Sequence, residues 1–470
     1  MKKVTLLYTL LTIVVLGVGI YWGYQLLQEP EKSVFLIGES SPGHHQIEQA
    51  CETCHQTPFG GGEVLQDACV GCHAAELKDA HDSHPKSKFT DPRNANRLDQ
   101  IDARYCMACH REHQPDQTRE ISVTLPVDYC VACHQDIAED RTSHEGMEFD
   151  TCASAGCHNY HDNRALYEDF LLAHAGEPDM NPKPVIASMK DYLLTAESSS
   201  EGSPQTPLQP DYPEQNAKVT KAIEEWHGSA HSADVNCSGC HQSEHANTAN
   251  PQFSETPDAL VCVECHESQA KGFLRGKHGM RLAIHTDATQ SFPLNQSLTA
   301  LTDPGNRLFD PMTPAQGRLP FKGKSHAEEL TCNSCHGSHD YKLGVSASVD
   351  ACMGCHDDQH TNAYQSSPHY GIVLKEQAGE VPKGSAVTCA TCHMPKVEDE
   401  HQEGVYHTSH NQNENLRPNE KMIRSVCLDC HGLQFALDSL ADPILIENNF
   451  NGRPTKQIDS INLAIEREKE

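Results

Sequence analysis

Aromatic side chains are scarce in this sequence: 6% of 470 residues, with two tryptophans and 12 phenylalanines. Counted with glycine and without tyrosine, apolar residues reach roughly 41%, against a usual 45–50%. A chain this long ordinarily makes roughly two or three domains. It holds too few apolar residues to fill them, so something other than side chains must occupy the interior. Basic residues are short as well, 36 Lys and Arg against 66 Asp and Glu, a formal net charge of −30. Phosphate has the same sign, which argues against nucleic acid as a partner. No run alternates apolar and polar residues for long enough to make a half-buried strand. One long apolar stretch exists, at the N-terminus.

What the chain does have is cysteine and histidine, 22 and 31 of them. They fall into a repeated C-x-x-C-H pattern: CETCH (Cys51, Cys54, His55), CVGCH (Cys69, Cys72, His73), CMACH (Cys106, Cys109, His110) and CVACH (Cys130, Cys133, His134). It returns as CSGCH (Cys237, Cys240, His241), CVECH (Cys262, Cys265, His266) and CNSCH (Cys332, Cys335, His336). CMGCH (Cys352, Cys355, His356), CATCH (Cys389, Cys392, His393) and CLDCH (Cys427, Cys430, His431) complete ten sites. This is the attachment pattern of c-type haem. Each thiol adds across a porphyrin vinyl group, and the adjacent His becomes an axial ligand of the iron. Zinc and disulfides are the alternatives for C-x-x-C, and neither requires a His after the second Cys.

The remaining cysteines, Cys152 and Cys157, stand in TCASAGCHNY ahead of His158. The trailing His and the absence of another partner thiol favour an eleventh haem whose two extra residues bulge from the turn. Eleven apolar macrocycles would supply the missing interior.

The N-terminal stretch Val4–Leu27 carries no charge and would span about 36 Å as a helix, enough for a bilayer core of about 30 Å. Lys2 and Lys3 precede it, and Tyr21, Trp22 and Tyr24 fall where an interfacial belt would lie. The expectation is an uncleaved anchor in the bacterial inner membrane, residues 1–30, with everything after it in the periplasm. A cleaved signal peptide is the alternative, with Gly17-Val18-Gly19 a weak small-x-small candidate.

Five sites within 31–175 form one expected haem module and six within 221–440 another. Between them 176–220 reads as a Pro/Ser-rich linker, and 441–470 as a charged tail with helical stretches broken at Pro443. A cysteine-free gap, 267–331, reads as wrapping or as a pocket wall. The expected fold class is mostly α and irregular, a haem-organised cytochrome with one N-terminal transmembrane helix.

Eleven motif histidines leave 20 of the 31 for the sixth positions. His113, His161 and His339 follow a motif His by three residues, His245 and His360 by four. Each lies on its own iron's proximal side, so it can close only a neighbouring iron. Further candidates are His81, His84, His144, His174, His227, His231, His278, His326, His369, His407 and His410. The cluster KGFLRGKHGMR (Lys271, Arg275, Lys277, Arg281) suits haem propionates or, alternatively, an anionic substrate.

Two resemblances emerge at these residues. C-x-x-x-x-C-H resembles a variant found in tetrahaem cytochromes of the c3 class, and 43–175 looks like a cytochrome c3-type module. The stretch 225–435, through RGKHG, GKSHAEELTCNSCHGSHD, SSPHYG and VTCATCHMP, resembles the lineage of hydroxylamine oxidoreductase, octahaem tetrathionate reductase and pentahaem nitrite reductase. That lineage's C-x-x-C-K catalytic site is missing, and nothing marks Tyr370 or Tyr406 as its cross-linked tyrosine. A helix ahead of exported haems is also similar to membrane-bound tetrahaem quinol dehydrogenases, whose first haem site lies close to the helix; here 28–50 intervene.

The resemblances and the motifs together imply eleven covalent haems carrying electrons between a membrane or quinol-linked donor and a periplasmic redox partner. No residue is assigned a catalytic role. The competing expectation is an oxidoreductase acting on nitrite, hydroxylamine, sulfite or tetrathionate at one open haem within 221–440.

Overall fold

The C-x-x-C-H segments fold as single tight turns. The backbone N–H of the motif His donates to the carbonyl of the first Cys at His55, His110, His134, His266, His356 and His431, over 2.8–3.0 Å. That bond closes one helical turn and carries both sulfurs to one side of it. The computed structural model describes residues 2–28, 32–57, 62–118, 122–152, 158–162, 166, 168–182, 207–214, 216–241, 253–257, 261–284, 308–323, 328–398, 406–416 and 419–469. Cys157, His245 and His326 lie outside the described residues, as does most of the linker.

Longer helices are few: α1 (Lys2–Gln28), α2 (Gly62–Asp79), α3 (Glu168–Ala173), α4 (Ala217–His227) and α5 (Glu267–Arg275). After them come α6 (Pro368–Gln377), α7 (Leu433–Leu440) and α8 (Ser460–Arg467). The described strands are β1 (Lys396–Glu398) and β2 (Tyr406–Thr408), antiparallel, with Val397 opposite His407. The fold class is therefore the expected one, mostly α and irregular.

Side-chain cores are small and separate, as the apolar shortage dictates. The largest joins Leu166 and Leu171 to Ile423, Leu433, Leu437, Ile461 and Ala464. Helix α8, within the segment read as a charged tail, thus buries Ile461 and Ala464. Pro443 breaks the preceding run as its missing N–H requires, and the buried Asp442 caps the next turn by accepting from the N–H groups of Ile444 and Leu445. A second cluster gathers Val263, Ala270, Leu274, Leu282 and Ala283. A third, Ala50 with Ile284 and Phe309, joins the two halves of the chain.

Helix α1 contains a 23-residue candidate membrane span, Val4–Leu26, by length and composition. Its Trp22 packs edge-on against Phe35 at 5.4 Å. Lys32 then bonds both Gln49 Oε1 through its N–H (2.7 Å) and Glu52 Oε2 through Nζ (3.1 Å). The intervening segment folds back, so the first C-x-x-C-H turn sits against the end of the apolar helix.

The described ends of the linker are tied down. Asn181 donates to the carbonyls of Leu428 and Cys430, and Ser238 N–H donates to Asp211. The described parts of 267–331 wrap the segment around His45, whose Nε2 meets Gln316 O at 2.7 Å. Arg318 pairs with Glu48 at 2.8 Å.

Candidate haem-binding sites

The geometry of the histidines carries the site. Ten of the eleven motif histidines face a second imidazole. In the first half His73 faces His44 at 5.9 Å between ring centres, His110 faces His161 at 6.3 Å, His134 faces His84 at 6.0 Å and His158 faces His144 at 6.1 Å. In the second half His241 faces His339 at 6.0 Å, His266 faces His231 at 5.9 Å and His336 faces His410 at 6.2 Å. His356 faces His278 at 6.2 Å, His393 faces His360 at 6.2 Å and His431 faces His369 at 6.3 Å.

Such gaps are too wide for stacking and too regular for chance. A metal bound at about 2.0 Å to one nitrogen of each ring would hold the two ring centres about 6.3 Å apart. The residues present therefore fit an iron with two axial histidines. Among the described residues no group of three or more His, Cys, Asp or Glu could hold a metal by itself, and no two described cysteines form a disulfide. A zinc cluster, needing four protein ligands, finds no such group there.

Nine of the ten facing histidines are among the candidates named from sequence. His161, His339 and His360, each close behind one motif His, face the motif His of another site. The tenth, His44, was not singled out. It stands seven residues before Cys51, and a His-bearing segment ahead of a site, as in GKSHAEELTC, was the available signal. His113, His174 and His227 stand opposite no motif His among the described residues. His113 Nδ1 bonds Gly38 O at 2.8 Å, His174 Nδ1 bonds Glu177 at 2.7 Å, and His227 packs on Trp226. His55 faces no histidine among the described residues.

Hydrogen bonds fix ring orientation from behind, as ligand histidines require. His84 Nδ1 meets Tyr160 O, His360 Nδ1 meets Ile446 O, and His410 Nδ1 meets Thr408 O. Carboxylates do the same for His44 (Glu112, 2.7 Å), His73 (Glu76, 2.8 Å) and His161 (Asp82, 3.1 Å). Burial holds His278, His369 and His393 down at about 4, so they are neutral near pH 7, the form that binds metal. Burial likewise pushes the thiols of Cys54, Cys109 and Cys392 up to about 11, and Cys335 and Cys427 to about 12.

The sulfurs give the order of sites in space. Close approaches join Cys69 to Cys106, Cys130 to Cys152, Cys262 to Cys332, and Cys352 to Cys389. Each links the first cysteines of consecutive sites. The intervening steps are bridged by the neighbours Cys54 and Cys72, Cys109 and Cys133, Cys240 and Cys262, Cys335 and Cys352, and Cys392 and Cys427. Sites one to five are thus neighbours in sequence order, and so are sites six to eleven.

The basic cluster lies between the two runs. Lys271 pairs with Glu267 at 2.7 Å, one turn earlier in α5. Arg281 stacks on Phe309 at 4.5 Å and donates to Asp310 O.

Comparison with known proteins bears on part of the chain. Residues 43–135 match the cytochrome c3 family and form a cytochrome c3-type multihaem domain, for which covalently bound haem c is implied. Cytochrome c-552 of Haemophilus ducreyi is 26% identical over 172 residues, covering 33% of this chain and 30% of that protein. Cytochrome c-552 of Haemophilus influenzae is 24% identical over 199 residues, 38% of this chain and 34% of its own length. Cytochrome c3 of Desulfuromonas acetoxidans is 41% identical over 44 residues, 9% of this chain and 65% of its own. The chain therefore spans about a third of the length of the two c-552 relatives. No solved structure matches.

Proposed function

We propose that the protein is an undecahaem c-type cytochrome, anchored in the inner membrane by α1, that carries electrons between a membrane or quinol-linked donor and a periplasmic redox partner. The observation that carries this reading is the set of ten facing histidine pairs, each at 5.9–6.3 Å. Haem c, when bound, supplies irons that change valence by one electron.

The protein's own residues do the rest. Paired cysteines would hold the cofactor covalently, in the eleventh case through Cys152 and Cys157 ahead of His158. Paired histidines would ligate the iron from both sides and leave those sites closed to substrate. Sulfurs of consecutive sites lie close to one another, which puts neighbouring sites side by side and supports transfer along each run. The contact of Lys32 with Glu52 supports entry at the membrane end, where the first site meets α1.

A second reading, an oxidoreductase of a small nitrogen or sulfur compound, was expected at an open haem in 221–440. There all six motif histidines have a facing partner. Its remaining support is His55, opposite no histidine among the described residues. Electron paramagnetic resonance of the oxidised protein, with nitrite, sulfite and hydroxylamine added in turn, tests both. Low-spin haems indifferent to all three support the carrier. A high-spin haem that responds to one of them supports the oxidoreductase.

A further inference from the structure

The segment that follows α1 is built inside out. Residues 33–38, SVFLIG, carry no charge. The polar residues around them turn inward: Lys32, Ser40 and Ser41 are buried, Lys32 on Glu52, Ser40 on Glu48 and Ser41 on Glu112. The exposed Glu39 is paired with Arg318 at 3.6 Å. Apolar side chains turn outward instead, with Ile37 90% and Val34 66% exposed. A loop in water shows the reverse, polar side chains out and large apolar ones in.

Its position says what covers it. Roughly twenty helical residues cross a bilayer core of about 30 Å, so a span entered at Val4 leaves the core near Gly23. Trp22, exposed together with Tyr21 and Tyr24, stands at that edge, and Phe35 packs on it at 5.4 Å. Val34 and Ile37, one and two residues from Phe35, therefore lie at the depth where acyl chains meet headgroups. The backbone there is bonded as apolar surroundings require. Phe35 N–H donates to Lys32 O, Leu36 N–H donates to Ser33 O, and Gly38 O meets His113 Nδ1 at 2.8 Å. A Cβ at Gly38 would stand 2.6 Å from His113 O, so glycine is what lets the segment press so closely on the chain after the third site.

We propose that residues 33–37 form a second membrane contact, with Val34 and Ile37 entering the lipid interface beside α1 of the same chain. This rests on the reading of α1 as an anchor. The haem-bearing part is then seated on the bilayer rather than tethered above it. Lys32 carries the contact to Gln49 and Glu52 at the first site, and Gly38 carries it to His113 beside the third. The first site is thereby held at a fixed height over the lipid.

The test places the full-length haem-loaded protein in vesicles of phosphatidylethanolamine and phosphatidylglycerol, some of whose acyl chains carry a carbene-generating diazirine near the ester end. After illumination, lipid adducts are mapped by peptide mass spectrometry and haem is counted. Adducts are expected at 33–37 as well as along Val4–Leu26. In the double variant Val34→Asp, Ile37→Asp those at 33–37 fall to background, while those along the helix and the haem content stay. Adducts confined to Val4–Leu26 in the parent overturn the proposal, leave the anchor intact and point to a protein as the cover of this apolar pair. Equal adducts at Leu343 and Ile444, exposed apolar residues of the second half, overturn it as nonspecific capture. A chain that begins after Leu26 and carries no adducts overturns the anchor reading itself. If the double variant does not fold, the adduct map of the parent decides.

Discussion

Lys32 Nζ stands 3.1 Å from the Glu52 carboxylate, bonding the chain just past the apolar helix into the first C-x-x-C-H turn. Lys32 is nearly buried, so the pair is held rather than waving in solvent. Replacing Lys32 by Glu sets like charges together and loosens the site from the helix. Reduction by a quinol in proteoliposomes is expected to slow several-fold, with haem content unchanged by mass spectrometry. Unchanged quinol rates would place electron entry elsewhere.

Removing a facing histidine opens one position. In His360→Ala, His393 loses the ring opposite it at 6.2 Å. One haem is expected to become high-spin and to bind cyanide, while His227→Ala leaves the spectrum unchanged. Identical spectra for the two variants would refute the pairing.

Cys152 and Cys157 flank residues that include 153–156, longer than the other turns. The double variant Cys152→Ala, Cys157→Ala is expected to carry one haem fewer than its parent in an intact-mass measurement. Equal haem content would mean that this segment binds none.

The C-terminal core predicts a stability effect. Ile423 and Leu433 are both 0% exposed. Leu433→Ala is expected to cost about 2–5 kcal/mol in that unit, through lost burial and the cavity left behind. Denaturant unfolding followed by Trp-independent far-ultraviolet circular dichroism would show the shift.

Asp442 gives a pH dependence. Backbone and side-chain bonds from Thr455 hold its carboxyl below the ordinary value. A depressed folded value adds stability above the unfolded value of about 3.9, which is lost as pH falls through the folded value. Parent melting temperature should therefore drop on acidification below about pH 4. Asp442→Asn should melt about 2–4 °C lower at neutral pH and lose part of that acid dependence.

The attachment turns were legible because their chemistry is local. Two thioethers and an axial ligand must come from five or seven consecutive residues, so spacing alone marks them. The facing histidines come from distant segments, and only their types could be named. His410, two residues beyond β2, meets His336, and His84 meets His134 with the third site between them in sequence. No spacing rule encodes such reach. His44 lies ahead of every site, and only its place seven residues before Cys51 marks it. The separation of Cys51 from α1 was judged by chain length, yet Trp22 on Phe35 and Lys32 on Glu52 close that distance. The fold class followed from the shortage of apolar residues, whereas the junction through Ala50, Ile284 and Phe309 had no signature in composition.

The close approaches of first cysteines, Cys69 with Cys106, Cys130 with Cys152, Cys262 with Cys332 and Cys352 with Cys389, divide the sites into doublets. Sites one, six and eleven stand outside them, and these are run ends. The second run is thus built like a cable of twin cores between single terminals, and the first starts on a single site and ends on a doublet. Adding or deleting a whole doublet would lengthen or shorten a run and leave its terminals as they are. Losing half of one would turn an internal site into a new end. On this architecture, length is free to change in steps of two.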